Sequence, residues 1–228
     1  REQIKILGRW GDKDKKNKFI LLTDLFNESH GNADSLEWLV NNGYKVIGID
    51  ISITIILRFR KNMELDIPCV VCDVMNLPFK SEEFGHVVSF STLDHFDKND
   101  LKCSLCDLHR VISPQGRLIA TLHNSQNIFL YFYIMKFMHE YSFPIQCYSL
   151  RSATSIIESC KFRIHDTEAI VHIFFPSFTG LIFSNCEKTR LDILHVLRGK
   201  FIDLCGLLGK LKTKYFTCKF VALCAIKR

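Results

Sequence analysis

The stretch Lys45-Val-Ile-Gly-Ile-Asp-Ile-Ser52 decides the fold. A short apolar run ends on one carboxylate, Asp50, and Ser52 can then cap a following helix. Such a run, bounded by polar residues, is typical of a strand that is buried on both faces, as in a parallel sheet. The stretch therefore predicts a buried strand that ends in an acidic residue and leads into a helix.

The same pattern recurs along the first half of the chain. Strands are predicted over 18–23, 45–49, 68–72, 86–91 and 117–122, and helices over 33–42, over 53–63 and from a cap at Asn99. Strands that alternate with helices indicate a parallel sheet with helices on both faces, connected by right-handed crossovers. We therefore predict an α/β fold with a doubly wound, mostly parallel sheet, in a single domain over residues 1–228.

The second half of the chain is less regular. A short helix is predicted over 152–160, a helix over 191–211 and a last strand over 219–226. The run over 128–137 is apolar and rich in aromatic residues, but it is shorter than the ~20 residues that span a bilayer. We interpret this run as a core helix, with a lid over an apolar substrate or a peripheral membrane contact as alternatives.

Composition places the chain among folded globular proteins. Hydrophobic residues make up 47% and charged residues 24% of the 228 residues, which is too apolar for a disordered chain. No apolar run is long enough for a spanning helix, and no secretory signal is visible at the start. We expect a cytoplasmic protein. Because the sequence does not begin with Met, a lost targeting segment stays an open alternative.

The net charge of +6 fits either a mildly basic surface or attraction to an anionic partner. The lysines that crowd near the two ends of the chain are Lys13, Lys15, Lys16 and Lys18, then Lys200, Lys210, Lys212 and Lys214. Neither cluster has the interleaved aromatic residues of a single-strand binder, and no helix-turn-helix, zinc-finger or RNP pattern occurs. We expect no nucleic-acid partner.

The ten cysteines include two C-x-x-C pairs, which are compatible in spacing with a zinc site. Cys69 and Cys72 lie three apart on a predicted strand, where they point to opposite faces. Cys103 and Cys106 lie on a predicted helix, where we expect them to pack on the sheet as small hydrophobic residues. The sequence therefore predicts reduced thiols and no metal site.

Two acidic residues follow neighbouring strands, where doubly wound sheets bind their ligands. Asp50 ends the second strand, and its carboxylate can accept hydrogen bonds from both hydroxyls of a ribose, or else cap the following helix. Asp73 ends the third strand and can accept from an adenine amino group, with Val74 or Met75 beside the ring, or else start a turn.

Several motifs together resemble the class I S-adenosylmethionine-dependent methyltransferases. They are G-I-D-I-S over 48–52, L-P-F over 77–79, F-G-H-V-V-S over 84–89 and R-V-I-S-P-Q-G-R-L over 110–118. The segments T-D-L-F-N-E over 23–28 and S-T-L-D-H-F over 91–96 resemble a subgroup of the type 11-like methyltransferases, whose first loop lacks the usual glycines. The resemblance covers about 20–124.

The resemblance implies a Rossmann-like methyltransferase fold, with a seven-stranded sheet whose last strand is antiparallel. It also implies S-adenosylmethionine as cofactor, bound by 18–124, and a small-molecule or lipid-like acceptor chosen by 125–228. The residues implied to bind the cofactor are Asp24, Glu28, Gly31, Asp50, Ile51, Asp73, Val74 and Ser91. Asp94 and His95 are implied to line the catalytic site, with His95 either a general base or a positioning residue.

The first loop departs from the glycine-rich D/E-x-G-x-G-x-G pattern of the family. Counting back from Asp50 without gaps places Ser29, Gly31 and Ala33 at the glycine positions and Asn27 in the acidic slot, whereas an insertion would place Asp24 or Glu28 there. Gly85 and Gln115 are further departures. An inactive, methyltransferase-like binding or scaffold module is therefore the alternative. A nicotinamide-dependent oxidoreductase would need G-x-G-x-x-G, which the sequence lacks.

Overall fold

The structure, a computed structural model, describes residues 2–11, 18–127, 130–131, 145–172, 210–211 and 213–228. Nearly all of the predicted helix over 191–211 and of the aromatic run over 128–137 lies outside the described residues.

Strands and helices alternate through the first half of the chain, as predicted. The strands are β1 (Phe19–Leu22), β2 (Lys45–Asp50), β3 (Cys69–Val71), β4 (Phe84–Ser89), β5 (Ile112–Asn124), β6 (Cys147–Tyr148), β7 (Phe162–His172) and β8 (Cys218–Lys227). The helices are α1 (Glu2–Trp10), α2 (Phe26–Ser29), α3 (Asp34–Asn41), α4 (Ile53–Asn62), α5 (Lys98–Val111) and α6 (Leu150–Ser159).

The described strands form one sheet in the order β3-β2-β1-β4-β5-β8-β7. In this order, the strands β3, β2, β1, β4 and β5 are parallel to one another. Strand β8 runs antiparallel to both of its neighbours, β5 and β7. The predicted doubly wound sheet with an antiparallel last strand is therefore confirmed. The two-residue strand β6, which pairs with the end of β5, is an addition to the seven strands expected.

The order of strands reverses between β1 and β4. From β1 the chain builds β2 and β3 on one side, and then returns to place β4 on the other side of β1. Ligands of doubly wound folds bind at such a switch point, beyond the carboxyl ends of the strands. The residues that follow β1, β2, β3 and β4 are therefore the candidates for a ligand-binding site.

Two apolar clusters cover the two faces of the sheet. Helices α1, α3 and α4 pack on one face, and α5 and α6 pack on the other. Cys69 packs with the first cluster and Cys72 with the second, so they point to opposite faces as predicted. Cys103 and Cys106 are exposed on α5, so the prediction that they pack on the sheet is wrong.

Local capping corrects the predicted start of α5. The side chain of Asp97 accepts hydrogen bonds from the amides of Asn99 and Asp100, at 2.7 and 2.9 Å, so the helix begins at Lys98. Asp97, and not Asn99, is therefore the capping residue. A carboxylate at this position satisfies amides that otherwise lack a partner in the first turn.

Residues 113–116, which precede the predicted strand over 117–122, form an irregularity inside the longer strand β5. Phe84 pairs with Ile112, but His86 pairs with Arg117, so the extra residues of β5 bulge out of the ladder. Gln115 adopts the left-handed conformation, with φ of 59°, in this bulge. This places the sequence departure at Gln115 in the bulge and away from the switch point.

We expect the substitution Gly116→Ala to destabilise the protein. A Cβ atom at Gly116 would lie 2.6 Å from the carbonyl oxygen of Gly85 and 2.7 Å from that of Ser113, and backbone atoms cannot easily retreat. The free energy of unfolding in urea should fall by about 1–3 kcal/mol, as for other overpacked sites. Gly8→Ala is the matched control, because its Cβ would meet only Trp38 at 3.6 Å and alanine favours the helix. Equal stability of the two variants would contradict the prediction.

Within the described ranges, no helix combines the length and apolar character needed to cross a membrane.

Candidate functional site

The loops that follow β1 and β2 are held together at the switch point. The carboxylate of Asp50 accepts a hydrogen bond from the amide of Leu25 at 3.3 Å, which joins the end of β2 to the first loop. The hydroxyl of Thr23 lies 2.9 Å from that of Ser89 and 3.0 Å from that of Thr92, which joins the end of β1 to the end of β4. Sequence reasoning had missed this cluster of hydroxyls.

Asp50 is nearly buried and keeps acceptor capacity. Its Oδ1 atom accepts from the amide of Ser52 at 2.8 Å, and its Oδ2 atom accepts from Leu25. A carboxylate has about four acceptor positions, so about two remain for the hydroxyls of a ligand. The side chain of Ser52 makes no capping bond to α4. Asp50 therefore shapes the first loop and can still bind a ribose.

An exposed apolar side chain follows the carboxylate at the end of β2. Ile51 follows Asp50 and is 72% exposed, which is unusual for isoleucine. Asp73 is half-buried and starts a turn, in which its Oδ1 atom accepts from the amide of Met75 at 2.9 Å. The side chain of Val74 packs in the core, so it is not placed to flank a ring. This edge offers an open apolar contact beside two carboxylates.

The first loop borders a polar cavity of about 170 Å³. The residues that line it are Gln3, Leu22, Asp24, Asn27, Glu28, Asn32, Ser35 and Phe90. Gly31 lies outside this lining and has a φ of 84°, and a Cβ atom there would meet nothing within 4 Å. Its glycine character therefore serves the backbone conformation and not the close packing of protein atoms. A second cavity, of about 360 Å³, lies at the end of α4, away from the strand ends.

Two carboxyl groups that line the polar cavity have raised pKa values. Burial, reinforced by the charges of Asp50 and Asp94, raises the pKa of Asp24 to about 6, although a hydrogen bond from the Phe26 amide opposes the shift. Burial, reinforced by the charges of Asp24 and Asp50, raises the pKa of Glu28 to about 7. A cation in the cavity would favour the ionised form of both groups. The cavity is therefore suited to an ammonium group.

We expect Glu28→Gln to stabilise the protein at pH 8.5 and to have little effect at pH 5. A buried acid whose pKa is raised from 4.5 to about 7 costs folding free energy once it ionises, by up to about 3 kcal/mol. Stability from neutral Glu28 is thus lost as the pH rises through 7, whereas glutamine stays neutral. Melting temperatures at the two pH values measure the effect, with the exposed Glu64→Gln as control. An equal gain at both pH values would contradict the assignment.

Ser91 adopts a strained conformation at the end of β4. Its φ is 57°, in the left-handed region, and its amide donates to the hydroxyl of Thr121 at 3.0 Å. Such strain in a residue other than glycine tends to occur at functional sites. The structure places Ser91 half-exposed, next to the hydroxyl cluster that joins β1 and β4.

The two candidate catalytic residues lie in different surroundings. Both belong to a short 3-10 helix, Leu93–His95. Asp94 is fully buried, and its Oδ2 atom is hydrogen-bonded to Nδ1 of His123. His95 is half-buried and lies close enough to Asp24 to lower the pKa of that carboxyl group. Asp94 therefore interacts with buried protein groups such as His123, whereas His95 lies near the first loop.

His123 is a site residue that the sequence analysis missed. It lies near the end of β5, one residue beyond the predicted strand, and its partner Asp94 is 29 residues earlier in the chain. The rule that polar residues at strand ends form the site was applied to the first four strands and not to the fifth. Among the described residues, no group of three metal-ligating side chains comes together.

One family model matches part of the sequence. Residues 29–120 match the model of a family described as a methyltransferase domain. The match includes Asp50, Asp73 and Asp94 but begins after Asp24 and Glu28, so it does not cover the unusual first loop. No curated protein matches the sequence.

The fold is shared with many solved structures. An S-adenosylmethionine-dependent methyltransferase from Methanosarcina mazei is 16% identical, with a TM-score of 0.64 over 97% of this chain and 96% of that chain. Phosphoethanolamine N-methyltransferase 2 from Haemonchus contortus, solved with S-adenosyl-L-methionine, is 20% identical, with a TM-score of 0.63 over 99% of this chain and 52% of that chain. The [4+2]-cyclase SpnF is 13% identical, with a TM-score of 0.63 over 99% and 80%. At these identities the likeness concerns the fold alone.

Proposed function

We propose that the chain is a class I S-adenosylmethionine-dependent methyltransferase, with S-adenosylmethionine as its cofactor, and that it methylates a small-molecule or lipid-like acceptor. One observation carries the proposal. The carboxylates of Asp24, Asp50 and Asp73 follow three adjacent strands at this edge of the sheet, and Asp50 lies close enough to Asp24 for its charge to raise the pKa of Asp24. This is the edge at which doubly wound sheets bind nucleotides.

The side chains at this edge fit the parts of the cofactor. Asp24 and Glu28, whose pKa values are raised in the polar cavity, match the ammonium group at the methionine end. Asp50 retains acceptor positions for the two ribose hydroxyls. Ile51 offers an exposed apolar contact for the adenine ring, and Asp73 can accept from its amino group.

The protein contributes mainly alignment. S-adenosylmethionine supplies a methyl group on a positively charged sulfur, which a nucleophile can attack directly. The strand ends fix the orientation of the cofactor, and the segment after β4, with the half-buried His95, borders the acceptor. Holding two reactants in line removes much of the entropic barrier of a bimolecular step.

The lipid-like character of the acceptor is the finer part of the proposal. It is supported by the aromatic run over 128–137, most of which lies outside the described residues. If this run contacts lipid, the protein should float with liposomes in a density gradient. Sedimentation without liposomes would count against membrane contact and favour a soluble small-molecule acceptor.

A binding or scaffold module without turnover is the second candidate. The observation that favours it is the packing of the first loop, where the fully buried side chain of Leu25 lies against Gly48. A loop that is closed by its own leucine could hinder the close approach that family glycines allow.

Calorimetric titration with S-adenosylmethionine and S-adenosylhomocysteine distinguishes the two candidates. We expect both to bind with dissociation constants in the micromolar range, which corresponds to about −8 kcal/mol. A nicotinamide dinucleotide serves as the control ligand and should not bind. Failure of a well-folded sample to bind either sulfur compound would overturn the enzyme proposal and favour the scaffold.

A further inference from the structure

Asp94 and His123 form a buried pair at the carboxyl ends of β4 and β5. Asp94 has no exposed surface, and its Oδ2 atom is hydrogen-bonded to Nδ1 of His123. The imidazole is 6% exposed, and its ring packs against that of Phe220 with centroids 4.5 Å apart. The main chain of Asp94 is also fixed, because its carbonyl oxygen accepts from the amide of Gln146 at 2.7 Å. The ring of Phe220 and the amide of Gln146 therefore help to fix the position of the pair.

The charge of Asp94 acts on three titratable groups at this end of the sheet, although burial has the larger effect on each. Burial, reinforced by Asp94, raises the pKa of Cys147 to about 11 and that of Tyr148 to about 12. Burial lowers the pKa of Lys219 on β8, and Asp94 opposes that shift. The Oδ1 atom of Asp94 is buried and has no hydrogen-bond partner among the described residues. A buried carboxylate of this kind needs a donor, and the Nδ1–H group of His123 supplies one.

We propose that His123 accepts the proton of the acceptor's nucleophile, with Asp94 as the positioning residue that fixes the imidazole. The acceptor is then an alcohol, a phenol or an amine, whose nucleophilic atom carries a hydrogen. This inference rests on the proposed methyltransferase function. It assigns to His123 the role of base that the sequence analysis had considered for His95.

The geometry gives the two ring nitrogens different tasks. Because Nδ1 donates to Asp94, the lone pair of the neutral ring lies on Nε2. A carboxylate that fixes a histidine in this way also stabilises the imidazolium that forms when Nε2 takes a proton, as in hydrolytic triads. Asp94 is too deeply buried to contact an acceptor, so it acts through His123.

The step is balanced without a further reactant. The nucleophilic oxygen or nitrogen of the acceptor forms a bond to the methyl carbon, and the bond between that carbon and sulfur breaks. The electron pair of the broken bond stays on sulfur, which gives S-adenosylhomocysteine. The proton of the nucleophile moves to Nε2 of His123 and is later released to water.

Nuclear magnetic resonance of protein labelled with [15N]histidine tests the assignment without any acceptor. We expect spectra recorded at successive pH values up to 9 to show the neutral His123 ring with its proton on Nδ1, with the signals assigned from His123→Gln. In Asp94→Asn the amide can pair with either tautomer, so the form protonated on Nε2 should become at least as populated. Asp100→Asn, which removes an exposed carboxylate on α5, is the matched control and should leave the spectrum unchanged. A ring protonated on Nε2 in the unsubstituted protein, or an imidazolium that persists to pH 9, would overturn the proposal.

Turnover separates this inference from the proposed function. Methyl transfer from labelled S-adenosylmethionine to a panel of alcohols, phenols and primary amines should fall by about 10²–10⁴-fold in His123→Gln. Calorimetry on the same variant should show cofactor affinity within about threefold of the unsubstituted protein, because the proposed role of His123 is in proton transfer and not in holding the cofactor. Turnover of His123→Gln within about twofold of the original would refute the base role. If the unsubstituted protein does not bind the cofactor, the proposed function is refuted instead. The resonance spectra would still test the pairing of Asp94 with His123.

Discussion

Replacing Asp50 by alanine should weaken the binding of S-adenosylmethionine by at least about 100-fold, or roughly 3 kcal/mol. Two effects add. The ribose hydroxyls lose a charged acceptor, and a hydrogen bond to a charged group is worth about 1.5–3 kcal/mol. The amides of Leu25 and Ser52 also lose their acceptor, so the first loop and the turn before α4 lose the bonds that hold them.

Asp50→Asn separates these two effects. The amide oxygen can still accept one backbone hydrogen bond, but the charge is gone, so we expect a smaller loss of about tenfold in affinity. The exposed Asp66→Ala removes the same charge away from the strand ends and is the control. Calorimetry measures the affinities, and thermal unfolding verifies that each variant is folded. Binding by Asp50→Ala within about threefold of the original would show that Asp50 does not hold the ribose.

Much of the first half could be predicted because its signals are local. A buried parallel strand is a short apolar run, and the residue that ends it, such as Asp50 or Asp73, is close to it in sequence. The parallel order then places these ends at one edge without any knowledge of side-chain packing. The convergence of Asp24 and Asp50 follows from that order.

The features that were missed depend on contacts between distant segments. The pairing of Asp94 with His123 requires β4 and β5 to be adjacent, and no pattern in either segment marks the pair. Val74 or Met75 was expected beside a ring, but Val74 packs in the core, in one apolar cluster with residues of distant segments such as Leu21 and Leu118. These features could not be predicted because the residues that meet are far apart in the sequence, and not because of their residue types.

Helix α1 was missed for a different reason. The sequence analysis predicts no element before the first strand, although Ile6, Leu7 and Trp10 have the spacing of one helix face and all three are buried. A helix of nine residues is marginal alone, so its stability comes from packing on the sheet. The partners of that packing include β7, more than 150 residues away.

Trp10 is the residue through which α1 is fixed, and we expect Trp10→Ala to lower the free energy of unfolding by about 3–5 kcal/mol. The indole is 1% exposed, and its Nε1–H group donates to Asp166 on β7 at 2.9 Å. The carbonyl oxygen of Trp10 accepts from Arg117 on β5 at 2.6 Å, and Arg9 pairs with Asp166 at 2.6 Å. Removing the indole leaves a cavity and an acidic side chain without one of its donors.

Trp10→Ala should also weaken the binding of the cofactor. Helix α1 places Gln3 in the lining of the polar cavity, where its side-chain oxygen accepts a hydrogen bond from the hydroxyl of Ser35 at 3.1 Å. Trp10→Phe keeps most of the buried ring and loses only the indole donor, so its loss of stability should be smaller, about 1–2 kcal/mol. Urea unfolding measures both, and Trp38→Ala, which truncates a half-buried indole on α3, is the control. If Trp10→Ala costs no more than Trp38→Ala, α1 is not anchored through Trp10. If it costs the expected amount and the folded variant also binds S-adenosylmethionine more weakly, α1 belongs to the cofactor site as well as to the fold.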